Sequence, residues 1–152
     1  MMHARALAVI LMSLLVVAAC SSTGKSSDDG VFELQVDPTV PSSLARSLDG
    51  QRLREGRNQV ATFKTGRLFA VVAGGELDSL ILEEDGQPPA VALVANPAPP
   101  STGETPGSCG QLLDNCVRRC ENAPDQACCE CRCLISYLLC ERRQGRTVMR
   151  IQ

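Results

Sequence analysis

Eight of the nine cysteines fall between residues 109 and 140, and six of these are spaced as a palindrome. Cys109, Cys116, Cys120, Cys129, Cys133 and Cys140 are separated by 7, 4, 9, 4 and 7 positions. A chain that rises as one helix, turns and returns as another brings each residue level with its mirror image. The nested pairs Cys109–Cys140, Cys116–Cys133 and Cys120–Cys129 share one midpoint. With about 100° of turn per residue, Cys116 and Cys120 lie within about 20° of Cys109, and Cys133 and Cys140 within about 40° of Cys129. Each helix therefore carries one cysteine stripe. Helices packed about 8–10 Å apart leave facing Cα atoms roughly 3.4–5.4 Å from one another, which overlaps the 4.4–6.8 Å or so that a disulfide spans. The spacing predicts an antiparallel helical hairpin whose seam is cystine.

The residues between the stripes agree. Asn122 can close the first helix, and Pro124 and Asp125 can open the second, with Asp125 as N-cap. Leu112, Leu113 and Val117 accompany the first stripe, with Asp114, Arg118 and Glu121 opposite. CVRRC at 116–120 and CECRC at 129–133 resemble the twin C-x3-C helical hairpins of plant defence peptides and of small chaperones of the mitochondrial intermembrane space. That resemblance implies the hairpin and its bonding, not either activity. The pair Cys109 and Cys140 extends the scheme outward.

Cys128 and Cys131 stand about 120° and 160° away from the second stripe and cannot join the ladder. A further local disulfide, Cys128–Cys131, is the simplest reading. The alternatives are a reactive pair with a lowered pKa, as in C-x2-C redox motifs, or a disulfide to a partner. A four-cysteine zinc site would need a second C-x2-C knuckle, and none exists. Leu134, Ile135 and Leu138 continue from Cys131 with helical spacing, on the face turned away from the ladder. Something must cover them: the rest of the chain in the first instance, otherwise a second copy or another protein.

The address is written at the other end. A basic start carrying Arg5 precedes an apolar run from Ala6 to Val17 that suits a signal peptide and is shorter than the roughly 20 residues needed to span a bilayer. Val17-Ala18-Ala19-Cys20 resembles the lipobox of bacterial lipoproteins. The resemblance implies cleavage after Ala19, lipidation of the Cys20 thiol and usually acylation of the new amino terminus. Ser21 stands where an inner-membrane retention signal would place aspartate, so the expected site is the outer membrane, facing periplasm or surface. Such a compartment is oxidising and favours disulfides over bound thiolates.

Past this leader (1–19), residues 20–30 read as lipidated cysteine and flexible tether, 31–95 as a β-rich region, and 96–108 as a Pro-rich linker. The hairpin, 109–144, and a tail, 145–152, complete the chain. Within the β-rich region, Phe32, Leu34 and Val36 alternate with polar residues, and Ser42 to Leu48 allow a helical turn. Gln59–Lys64 and Arg67–Ala73 suggest a hairpin across Thr65-Gly66. Leu80–Glu84 and Ala90–Val94 suggest another across Asp85-Gly86. The expected fold is α+β: a small antiparallel, sandwich-like β domain followed by the stapled hairpin, behind a signal-peptide helix.

Function is bounded mostly by exclusion. Removing residues 1–19 leaves 14 Arg/Lys against 17 Asp/Glu, a net charge of −3 that offers no footprint for nucleic acid. The only histidine, His3, goes with the leader, and with it any Ser-His-Asp or Cys-His machinery. Tryptophan is absent and Tyr137 is the lone tyrosine, so stacking platforms are missing. Glu76, Asp78, Glu83, Glu84 and Asp85 are the only weak candidates for a calcium site, and they lack the alternation of a calcium-binding loop. Arg142, Arg143, Arg146 and Arg150 read as solvated, with lipid phosphate as the alternative partner. The expectation is a structural or binding protein of the envelope without catalysis or cofactor, membrane-bound through its lipid; the rival is a thiol-redox or soft-metal protein using Cys128 and Cys131.

Overall fold

The computed structural model describes residues 30–94 and 108–152; the leader, Cys20, the tether to residue 29 and the linker from 95 to 107 lie outside the described residues. β1 (Val31–Val36) turns Leu34 and Val36 inward, as its alternation requires. The Ser42 hydroxyl accepts from the Ala45 N–H at 3.2 Å and caps α1 (Ser43–Leu48), which buries Ala45 and Leu48. β2 (Arg52–Arg54) then pairs with β1, leaving β3 (Gly56–Thr62), β4 (Gly66–Ala73), β5 (Glu76–Glu84) and β6 (Ala90–Leu93) to form a four-stranded antiparallel meander.

The β4–β5 connection is a two-residue turn, Gly74-Gly75, with φ of 62° and 78°. Both positions need a left-handed backbone, the reason such hairpins choose glycine. Glu55 holds the turn by accepting from the Gly74 N–H at 2.6 Å and the Gly75 N–H at 3.3 Å. The register shifts once between β4 and β5, near Asp78, so β5 begins at Glu76, ahead of the Leu80 start that alternation suggests.

Helices α2 (Ser108–Cys120) and α3 (Gln126–Arg143) form the C-terminal hairpin. The remainder is not a tail. Gly145, with φ of 73°, reverses the chain, and β7 (Met149–Ile151) pairs antiparallel with β1, giving a three-stranded sheet in the order β2-β1-β7. Met149 is buried there. The first and last described strands are thus neighbours.

The inner face of the four-stranded sheet, formed by Leu68, Ala70, Val72, Leu77, Leu80, Leu82 and Ala92, is buried. Helix α3 lies against β4, β5 and β6. A helix rather than a second sheet therefore covers much of this face, and the β region and the hairpin share one hydrophobic core. Leu134, Ile135 and Leu138 are all buried in it. The face that a partner was expected to compete for is closed by the chain's own sheet. Burying each such side chain contributes about 1.5–3 kcal/mol. Among the described residues, no helix is long and apolar enough to cross a membrane.

Candidate functional site

The stapled seam is built from α2 and α3. Disulfides join Cys109 to Cys140, Cys116 to Cys133 and Cys120 to Cys129, with Cα–Cα distances of 5.7, 5.7 and 5.6 Å. The even distance follows from two stripes of helical pitch lying parallel. Two rungs touch, since the sulfurs of Cys120 and Cys133 are 3.6 Å apart. Among the described residues, potential metal-ligand atoms converge only at Cys120, Cys129 and Cys133, and all three sulfurs are committed to these bonds.

Cys128 and Cys131 are not bonded to each other; both are free thiols and both are buried. Their position on α3 turns them toward the sheet. The Cys128 thiol donates to Glu84 Oε1 at 3.4 Å, and Arg132 Nε donates to Glu84 Oε2 at 3.0 Å. Burial pushes the Cys128 thiol above its ordinary range, and Glu84 adds to this while the Thr65 hydroxyl works against it. Burial, with Cys128 and Glu84 nearby, pushes Cys131 up to about 12. A reactive pair needs thiolate at neutral pH; these thiols stay protonated. The local disulfide Cys128–Cys131, the simplest reading of the spacing, is therefore not formed, and the alternative of a lowered pKa fails as well, because α3 lays both thiols against the sheet, where burial disfavours thiolate.

The same junction carries the clamp that sets the hairpin on the sheet. Asp125 Oδ1 accepts from the Cys128 N–H at 3.1 Å and so caps α3. Its Oδ2 accepts from the Thr65 N–H at 2.7 Å and the Thr65 hydroxyl at 3.0 Å, in the β3–β4 turn. Desolvation works against ionisation, but the N–H groups of Cys128 and Thr65 and the Thr65 hydroxyl outweigh it and hold the carboxyl below its usual range. Beside it, a Cβ added at Gly66 would stand 2.6 Å from the Glu83 carbonyl oxygen and 3.2 Å from Cys128 Sγ, so the close approach requires glycine.

At the far end of α3, burial and the adjacent Glu141 push Tyr137 up to about 12, while Glu141, itself buried, pairs with Arg146. These groups fasten the turn into β7. Arg150 Nε donates to Gln35 Oε1 at 3.2 Å across the same sheet.

The acidic candidates do not converge. Glu76 opens β5, Asp78 sits at its bulge and Asp85 follows its end, so the outer two are roughly 30 Å apart along the strand. Glu83 instead pairs with Arg57 at 2.6 Å, and Glu84 belongs to the thiol junction. A calcium ion draws its six to eight or so oxygens to one point, and this strand spreads them out. Glu76 borders a cavity of about 270 Å³ with Leu77, Val94, Thr147, Met149 and Ile151.

Arg132 and Thr65, which complete the junction, carry no local signal. They meet Glu84 and Asp125 across 48 and 60 residues of sequence. No protein-family model, curated protein or solved structure matches the chain.

Proposed function

We propose that this chain is a lipid-anchored protein of a bacterial envelope, held through Cys20 and without catalysis, whose stapled body presents a rigid surface to another envelope component. The observation that supports this best is the three-rung cystine ladder. Such bonds persist in oxidising compartments outside the cytosol. The lipobox-like Val17-Ala18-Ala19-Cys20 supplies the anchor, and residues 21–30 the spacing, on the order of 17 Å for a flexible ten-residue tether. Ser21 favours the outer membrane.

Sealing of Cys128 and Cys131 argues against the thiol-redox and soft-metal rival. A catalytic or metal-exchanging thiol must reach solvent as thiolate, and Cys131 is 0% exposed with its pKa near 12.

The test is intact-mass analysis of the chain isolated from bacterial membranes, beside a Cys20→Ser variant. The expected species begins at Cys20 and carries fatty acid, and the variant is unprocessed and unacylated. A wild-type chain cut elsewhere and free of lipid would contradict the anchor.

A further inference from the structure

We propose that the rungs Cys116–Cys133 and Cys120–Cys129 form a thiol–disulfide relay: on taking two electrons from a dithiol they rearrange to one Cys120–Cys133 bond and present Cys116 and Cys129 as surface thiols. The placement of the sulfurs carries the inference. Each of the two rungs joins a half-buried cysteine to a buried one. Cys116 and Cys129 are the half-buried members, whereas Cys120 and Cys133 are 0% and 2% exposed. The buried members belong to different bonds, yet their sulfurs are the ones in contact, at 3.6 Å. The helix repeat explains this. Cys129 and Cys133 are one turn apart on α3, and Cys120 ends α2 beside both, so that the three sulfurs lie within 4.8 Å of one another.

Thiol–disulfide exchange then runs through these atoms. A thiolate of the dithiol attacks the accessible Cys129 Sγ, forms a mixed disulfide there and expels Cys120 as thiolate. Cys120 Sγ attacks its neighbour Cys133 Sγ; the Cys120–Cys133 bond forms, the Cys116–Cys133 bond breaks, and Cys116 leaves with the electron pair. The second thiol of the dithiol closes on its own sulfur in the mixed disulfide and releases Cys129. One dithiol is oxidised to a cyclic disulfide, one protein disulfide is reduced, and the two protons of the dithiol end on Cys116 and Cys129. Entry at Cys116 runs the same steps in mirror order and reaches the same product.

Burial sets the direction. A thiolate left on Cys120 or Cys133 has no access to water, whereas one on Cys116 or Cys129 is solvated, so exchange moves the charge outward and keeps the bond inside. The outer rung stays out of the relay because both its cysteines, Cys109 and Cys140, are buried and give a reductant no point of attack. Closing the Cys120–Cys133 contact from 3.6 Å to a bond of about 2.05 Å asks for a shift of about 1.5 Å. Cys120 is the last residue of α2, so the turn after it absorbs the movement. The new bond still joins α2 to α3, and the hairpin accepts two electrons without coming unstapled. The relay consumes one dithiol per chain and needs no lipid, so it stands apart from the function proposed above.

The oxidised full chain in detergent, treated with limiting dithiothreitol, quenched with acid, alkylated in denaturant and mapped by mass spectrometry, tests it. The species that has gained two electrons should hold Cys109–Cys140 and Cys120–Cys133, with alkyl groups on Cys116 and Cys129 as well as on Cys128 and Cys131. Cys129→Ser fixes the chain just after the first attack. In that variant, still folded, iodoacetamide should modify Cys116 and spare Cys120. A two-electron species that keeps either Cys116–Cys133 or Cys120–Cys129, one that has lost Cys109–Cys140, a seam inert to the dithiol, or a Cys129→Ser chain with Cys116 unmodified would overturn the proposal.

Discussion

Asp125 shows how much one side chain settles here. One carboxylate caps α3 and grips the β3–β4 turn, so the hairpin's start and its seat on the sheet are fixed together. Its pKa is lower in the folded chain than in the unfolded one, so folding favours the ionised form. That stability is present above the unfolded value, about 3.9, and is lost as pH falls through the folded value. Asp125→Asn keeps a capping oxygen and removes the charge. Thermal unfolding followed by circular dichroism should show the variant less stable at pH near 7 and with a shallower acid limb below about pH 4. Equal acid limbs in variant and wild type would mean the carboxylate is not the linked group. Cys131 makes the complementary point. As a small apolar group in the core, it is packing material that happens to carry sulfur.

At the scale of elements, α3 is used on two sides. One stripe is consumed by cystine and the opposite one by the sheet. Leu134→Ala should cost about 2–5 kcal/mol, since the side chain is fully buried, while Leu112→Ala, 59% exposed on α2, should change stability by about 0.5 kcal/mol at most. Denaturant titration of the two variants checks this, and equal costs would mean that α3 is not seated as described. The helical pair was readable from sequence because cysteine spacing carries the helix period and the disulfide reach at once. Elements whose reason lies elsewhere in the chain were not readable. β7 is three residues whose partner is β1, more than 100 positions away, and TVMRIQ reads as a tail without it. The first half of β5 hides behind its bulge at Asp78 and the polar Glu76. Angular position put Cys128 and Cys131 off the ladder, but the sheet, Glu84 and Thr65 decided their state.

For the molecule as a whole, the strands and the hairpin are interlocked rather than strung in series. β7 returns from the hairpin to the first strand, and α3 closes the sheet between them. Each rung of the ladder contributes about 2–4 kcal/mol taken singly, and nested rungs constrain overlapping loops, so their sum is less. The six stapled sulfurs and the two sealed thiols divide the labour: the first set hold the shape, and the second fill it. These are the two features on which the function proposed above rests. The most direct test is disulfide mapping with thiol labelling of the chain isolated from membranes. Iodoacetamide at neutral pH should leave Cys128 and Cys131 unmodified until the protein is unfolded. The peptide map should hold Cys109–Cys140, Cys116–Cys133 and Cys120–Cys129 throughout. Rapid labelling of either thiol in the folded chain, or a disulfide containing Cys128 or Cys131, would contradict the account.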